Sequence, residues 1–432
     1  MNREISVRIH ALALCAAAGV ATSASAQPCT PEWSTTGVDG GVHAQTVFGP
    51  ALYAGGAFET AGGVNVGGIA RWDGTAWSAL GAGVDSAVRA LAVFDDGTGP
   101  ALYAGGQFST IGGGAASRIA RWDGTAWTTL GTGVDSSVLA LAVFDDGTGP
   151  ALYAGGSFQT AGGIAANRIA RWNGQTWSAL GNGVANSVRA LAVFDDGTGP
   201  ALYAGGVFFF AGGVAASRIA RWDGTAWSAL GTGISNAVQA LAVFDDGTGP
   251  ALYAGGSFQT AGGIAASCIA RWDGTAWTTL GTGVDNTVLA LAAFDDGAGP
   301  ALYVGGAFST AGGVAAGGIA RWNGQAWSAV GTGFNNSVYT LAVFDDALHA
   351  GGASSATSGL MARWGCPPAP PCYANCDQST QAPVLNVQDF GCFLVRYAAG
   401  EPYANCDNST TAPVLNVQDF SCFLTRYAAG CP

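Results

Sequence analysis

The chain has no lysine and only three histidines in 432 residues, and charged residues make up just 10% of it. Its formal net charge is −12. Residues 1–26 contribute Arg3, Arg8 and Glu4, a net +1, so the remainder carries −13. A lysine-free acidic chain is a poor match for nucleic acid or an anionic membrane surface, and both are excluded as expected partners. Without lysine there is no amine nucleophile, and two of the three histidines, His43 and His349, stand singly in strand-like runs. No Ser-His-Asp set and no metal-ligand spacing of His, Cys and Asp occurs between residues 27 and 366. No catalytic residue is therefore assigned. Long apolar runs are also missing: Ala11–Ala21 is the longest near the start and is too short to cross a bilayer.

What the chain has is glycine (69 residues) and a hydrophobic content of 49%, a composition suited to a rigid scaffold of strands and tight turns. Residues 1–26 read as a secretory signal. Arg3 and Arg8 precede the apolar run, and Ala24-Ser25-Ala26 forms a small-residue cleavage site before Gln27. The expected location is therefore secreted or at the cell surface, without membrane insertion. Beyond Cys15, nine cysteines remain. In an exported chain they read as disulfides, with Cys268 the odd free thiol, because it stands where other repeats carry Arg118 or Arg218.

Fourteen tryptophans are present and fall into seven pairs. Six are intact: Trp72/Trp77, Trp122/Trp127, Trp172/Trp177, Trp222/Trp227, Trp272/Trp277 and Trp322/Trp327, spaced 50 residues apart. The seventh is split between Trp364 and Trp33. A fixed period of this length signals a repeat architecture. One unit reads Val88–Phe94, the turn Asp95–Pro100, Ala101–Gly106, a loop at 112–117, then Arg118–Trp122, the turn Asp123-Gly124, and Thr125–Leu130. Those are four short strands joined by hairpin signals. A sheet so small buries its faces only by stacking on neighbours around an axis. The expected fold is thus all-β, a seven-bladed propeller over 27–366.

In that ring, blade seven has Val338–Asp345, Ala347–Gly352 and Leu360–Trp364, and lacks its outer strand. Glu32-Trp33-Ser34 is predicted to supply it. Aligning Trp33 with Trp77 and Trp364 with Trp72 places Cys29 and Cys366 in one hairpin turn, which predicts a Cys29–Cys366 disulfide. Closing so long a loop is worth roughly 5 kcal/mol in the chain-entropy model. Leu-Tyr-Ala-Gly-Gly, Ile-Ala-Arg-Trp-Asp-Gly and Trp-Ser-Ala-Leu-Gly resemble kelch-like propellers, most closely the repeats of cortical cell-polarity marker proteins. The resemblance implies the fold and says little of function.

Residues repeated in every blade read as architecture. Arg71, Arg121, Arg171, Arg221, Arg271, Arg321 and Arg363 are expected to stack on a ring or pair with an Asp of the next turn, and Asp95-Asp96 and its counterparts to cap turns. Function is expected where repeats differ. Phe209 and Phe210 replace the polar residues found at this place elsewhere, and form a candidate binding platform for a sugar or an apolar partner. A second variable position holds Arg89, Leu139, Arg189, Gln239, Leu289 and Tyr339 on the first strand, lining either the channel or a blade face.

After Cys366, Pro367-Pro-Ala-Pro-Pro371 forms a stiff linker, and residues 372–432 contain a 30-residue unit twice. Each unit is an oxygen-rich loop followed by a helical pattern, with Phe390, Phe393, Leu394 and Tyr397 on one side. Leu-Asn-Val-Gln-Asp-Phe, present in both copies, resembles the loop–helix repeats of dockerins in their cysteine-containing form. The resemblance implies calcium, held by Asp377, Ser379, Gln381, the Val384 carbonyl, Asn386 and Asp389, and by Asp407, Ser409, Thr411, the Val414 carbonyl, Asn416 and Asp419. It also implies a cohesin-like or envelope partner. The first loop is one residue longer than the standard one, lacks the turn glycine and carries fewer charges. A loop held by disulfides alone stands as the alternative. Spacing supports Cys376–Cys392 and Cys406–Cys422, with Cys372–Cys431 clasping the ends.

Together these features describe an exported, non-catalytic binding propeller. It presents a face to a protein or carbohydrate and is attached to a surface or extracellular assembly by its tail. The competing reading is a secreted carbohydrate-active enzyme, a glycan hydrolase or lyase on the same scaffold.

Overall fold

The structure, a computed structural model, describes residues 32–355 and 358–365. The proposed signal, Cys29, Cys366, the linker and the C-terminal module with its calcium and disulfide candidates lie outside the described residues. Within them, seven four-stranded antiparallel sheets follow one another along the chain, each a simple meander. In blade two the strands are Val88–Asp95, Pro100–Gly106, Ile119–Trp122 and Trp127–Thr129, from the axis outward. The first strands of successive blades touch all the way round, and Val338–Phe344 of blade seven reaches Gly41–Phe48 of blade one. The described residues therefore form a closed seven-bladed propeller.

The ring closes as the tryptophan count requires. Glu32–Thr35 forms the outer strand of blade seven, antiparallel to Ser358–Gly365, with Trp33 opposite Trp364 and Glu32 opposite Gly365. Each Trp pair sits at directly opposed positions on the third and outer strands, ring centroids 5.1–5.3 Å apart. The outer indole also bridges blades, because its Nε1–H donates to a backbone carbonyl of the preceding one. Trp77 donates to Thr36, Trp127 to Leu80, Trp177 to Leu130, Trp227 to Leu180, Trp277 to Leu230, Trp327 to Leu280 and Trp33 to Val330, at 2.8–3.2 Å. These seven bonds make a belt that staples each blade to its neighbour. Tryptophan suits the role because one large ring fills the gap between blades while its lone donor satisfies a carbonyl there.

The hydrophobic cores lie between blades. One cluster takes Phe94, Tyr103, Ile119 and Leu130 from blade two and Val138, Leu152, Phe158 and Trp172 from blade three. The paired glycines ending each second strand allow this approach. A Cβ on Gly205 would stand 2.5 Å from Val238 Cγ1 of the next blade, and the same contact recurs at Gly55, Gly105, Gly155, Gly255, Gly305 and Gly351. Any side chain there would push the blades apart.

Strand limits differ slightly from the sequence expectation. The loop expected at 112–117 holds part of a two-stranded ribbon, Thr110–Ile111 with Gly114–Ala115, and blades one to six all carry one. Arg118 lies outside the third strand in the left-handed region, φ 63°, as do Arg168, Arg218 and Cys268. Blades one and six have Gly68 and Gly318 at this position, also with positive φ. Cys268 is free and buried, and burial pushes its thiol pKa up. An inert core thiol is the result.

Five of the seven repeated arginines pair with an Asp within their own blade. Arg121 Nε lies 3.0 Å from Asp96 Oδ2, and the contact recurs as Arg171–Asp146, Arg221–Asp196, Arg271–Asp246 and Arg321–Asp296. Tyr103 donates to the same Asp96 oxygen at 2.9 Å, while Asp95 Oδ1 accepts from the Gly97 and Gly99 amides. Burial works to raise the Asp96 pKa, but bonds from Thr98 and Tyr103 and the Arg121 charge outweigh it and hold it low. The Asp-Asp-Gly runs are therefore turn chemistry, as expected. The arginine partner is the hairpin of the same blade and not that of the next turn.

Candidate functional site

Strand register separates the two ends of the propeller. At one end Asp95 faces Pro100 and Trp122 faces Trp127, so the Asp-rich and Asp-Gly hairpins lie there. At the other end Val88 faces Gly106, and the ribbons and blade-to-blade connections follow. Every first strand carries a bulge at this ribbon end. The register slips between Val88 and Ala90, and at the same place in all seven blades. The bulged residue is Arg89 in blade two. A bulge re-aims its side chain and leaves the flanking alternation intact.

The re-aimed side chains meet at the mouth of the central channel. His43, Arg89, Leu139, Arg189, Gln239, Leu289 and Tyr339, one from each blade, line with Gln107 a cavity of about 640 Å³. Further in, the passage is walled by Ala90 and Leu91 and their counterparts and falls to about 210 Å³. The variable position noted in the sequence is thus the channel mouth, and no blade face. His43 is its seventh member. It was missed because blade one reads Val42-His-Ala-Gln-Thr-Val-Phe48 and departs from the Val-Arg-Ala-Leu-Ala-Val-Phe pattern. Counting one bulged residue per blade would have found it.

Around the mouth the chemistry is uneven. Tyr339, His43 and Arg89 adjoin, Arg189 and Gln239 adjoin, and Leu139 and Leu289 separate the two arcs. His43 stacks on Tyr339, ring centroids 5.2 Å apart at 25°. Burial, and then the Arg89 charge, push the His43 pKa down to about 4, so the ring is neutral near pH 7. Arg89 Nη2 donates to Gln107 Oε1 at 3.3 Å, while its buried Nε has no hydrogen-bond partner. No Asp or Glu lines the mouth or the passage below it.

Phe209 and Phe210 stand on the ribbon of blade four, whose strands are Phe210–Ala211 and Val214–Ala215. The ribbon rises from the same end as the mouth. Both rings are about half exposed, 55% and 52%, the highest values among the large apolar side chains of the described residues. The Arg218 guanidinium covers one face of Phe209 at 3.6 Å from the ring centroid. The two phenylalanines share an end of the molecule with the channel mouth but do not line it. His349, by contrast, is buried at 1% exposure at the place that Tyr103 fills in blade two. Among the described residues no group of three or more His, Cys, Asp or Glu side chains could hold a metal ion.

No protein-family model and no curated protein matches the chain. Solved structures do. The computationally designed Ika8 protein aligns over 77% of this chain and all of its own, at 18% identity and TM-score 0.45. The extracellular domain of what is described as a hybrid two-component system from B. thetaiotaomicron aligns at 12% identity and TM-score 0.51, over 77% of this chain. A second structure of an extracellular domain from the same organism, described as a one-component system, aligns at 11% and 0.50, over 81%. These last two are structures of the same protein, and this chain spans only 40% and 42% of the length of their chains. At such identities the likeness shows the fold, a β-propeller, and that alone.

Proposed function

We propose that this protein is an exported, non-catalytic binding propeller that receives a protein or carbohydrate ligand at its ribbon end. One observation carries the reading. In blades two to five the run Ala90–Gly106 and its counterparts 140–156, 190–206 and 240–256 are identical letter for letter, yet the residue just before each reads Arg, Leu, Arg and Gln. A scaffold indifferent to those side chains, presenting them together at one channel mouth, is what a ligand site on a repeat protein needs. Phe209 and Phe210 extend the same face with exposed aromatic surface.

The test is capture of glycans and envelope proteins by the full chain, compared with Phe209→Ala and Phe210→Ala. Binding is expected to be saturable and to fall tenfold or more when both rings are removed, about 1.4 kcal/mol or more, as for an aromatic anchor. Capture unaffected by both substitutions would move the site off this face.

The kelch-like ancestry of the blades, the signal at 1–26 and the dockerin-like tail complete the proposal. The tail, through Asp377 to Asp389 and Asp407 to Asp419, binds calcium and docks the propeller to a cohesin-like or envelope partner. Capture of that partner by the full chain is expected to disappear with chelator and with a chain ended at Cys366. Capture that ignores chelator would leave a tail held by disulfides alone.

A second reading, a glycan lyase, is favoured by the adjoining Tyr339, His43 and Arg89, which offer a base and a cation at one place. A hydrolase needs two carboxylates flanking the bond, and the mouth has none. Release of unsaturated sugars from acidic glycans would establish the lyase.

A further inference from the structure

The net charge of the chain is strongly negative, yet the channel mouth holds two guanidinium groups and no carboxylate. In blades two to six the third-strand arginines are each paired with an Asp. Arg189 has no hydrogen bond or ion pair among the described residues. Arg89 has only the neutral Gln107, and its Nε is buried without a partner. Unmatched guanidinium donors in a concave, partly water-excluding site are costly unless a ligand completes them. The planar, fixed fork of arginine fits oxyanions by paired N–H···O bonds.

Two acidic groups lie close by. Asp85 and Glu59 line a groove that joins the mouth at Arg89 and Gln107. Asp85 is already committed: its Oδ1 accepts from the Ser109 amide at 2.8 Å and from the Thr110 amide at 3.0 Å. It anchors the ribbon, and among the described residues neither it nor Glu59 forms an ion pair with Arg89.

We propose that the mouth of the channel is an oxyanion site, in which Arg89 and Arg189 clamp a carboxylate or sulfate group of the ligand from two sides. Gln239, beside Arg189, and the stacked His43–Tyr339 pair supply the neutral polar rim that would orient the body of the ligand. The proposal rests on the reading of the ribbon end as the binding face and narrows the ligand class to acidic molecules.

The two histidines of the described residues provide the test in the full chain. His43 sits in the mouth beside Arg89, and His349 is buried elsewhere and serves as an internal control. Proton NMR titration of both rings is run in sodium sulfate, in sodium trifluoroacetate, a carboxylate that stays ionised at pH 4, and in sodium chloride at matched ionic strength. A bound oxyanion offsets the Arg89 charge, so the His43 midpoint is expected to rise by about 0.5–1 pH unit in sulfate or trifluoroacetate. The His349 midpoint should not move. Arg89→Gln with Arg189→Gln should abolish the rise. Arg189→Gln alone, at a side chain that bonds to nothing, should reduce it even if the double variant folds poorly. A response to sulfate only assigns the site to tetrahedral oxyanions, and a response to both assigns it to carboxylates as well. No rise in either salt, an equal rise at His349, or a rise that survives the substitutions overturns the proposal. That failure would leave the aromatic ribbon free to bind, as the Phe209 and Phe210 variants would still report.

Discussion

Trp33→Ala is expected to lower the unfolding free energy by about 3 kcal/mol, a value at the lower end for removing a large core ring because Trp33 is only partly buried. The residue carries the closure of the ring. Its indole donates to the Val330 carbonyl at 3.1 Å, lies 4.5 Å from the Phe334 ring and packs on Trp364 at 5.2 Å. The belt of indole donors has six other members, but each of those strands is held by the chain on both sides within its own blade. Glu32–Thr35 meets blade seven from the opposite end of the sequence. Losing its anchor therefore releases a whole edge, and Ser358–Gly365 becomes a bare outer strand with unpaired backbone groups. Denaturant unfolding under reducing conditions measures the loss without help from any Cys29–Cys366 bond. Amide exchange in 358–365 should accelerate far more than in 119–122. Trp33→Phe, which removes the donor and keeps most of the ring, should cost about 1 kcal/mol. If Trp33→Ala costs no more than a surface change, the strand does not hold the ring shut.

Stability is also expected to fall by about 3 kcal/mol as the pH drops from 6.5 toward 4, with His349 the main cause. Burial pushes its pKa down to about 4 from 6.5, the Arg363 charge pushes the same way, and the Phe344 backbone opposes it. Neither ring nitrogen makes a hydrogen bond of normal geometry. An unfolded His349 takes up a proton below pH 6.5, whereas the folded one refuses it until about pH 4. The unfolded state therefore binds more protons in this window, and stability is lost as pH falls through it, at about 1.4 kcal/mol for each pH unit crossed. Below about pH 4 this contribution is spent. The depressed aspartates act only below their ordinary value of 3.8, so the two windows barely overlap. His43 has the same sign, but it borders the open mouth and contributes less. His349→Phe should flatten the profile between pH 6.5 and 4, as read by denaturation midpoints. A profile unchanged by that substitution would place the acid sensitivity elsewhere.

Much of the architecture was readable from letters alone, because it is periodic. Fourteen tryptophans in seven pairs fixed the number of blades, and the split pair fixed the closure, Trp33 against Trp364. The outer hairpins followed from steps such as Asp123-Gly124, which the structure places between Trp122 and Trp127. The candidate site was half readable. Variation before Ala90, Ala140, Ala190 and Ala240 marked a position released from the repeat. Where that position points depends on a bulge, which is a matter of hydrogen-bond register and leaves no mark in composition. The inter-blade indole bonds were hidden for a similar reason. A tryptophan signals bulk in a sequence, and only the stacking of blades shows where its N–H goes. Phe209 and Phe210 were recognisable as exceptions to the pattern. Their exposure, and the cover of Phe209 by Arg218, depend on a ribbon whose two-residue strands are too short to stand out from a loop in the sequence.

The bulge has one further consequence. Because it lifts a single residue out of each first strand, the seven residues at the mouth answer to no packing constraint that their neighbours obey. Val88 is locked against Gly55 of the neighbouring blade and Ala90 walls the passage, while Arg89 between them projects into the open mouth. The propeller thus works like a combination dial: seven wheels on one fixed axle, each able to turn to a new letter without loosening the others. Gene duplication that copies a blade copies the axle, and one codon afterwards rewrites the wheel. A fold built from near-identical parts acquires in this way a recognition surface with no repeat in it at all.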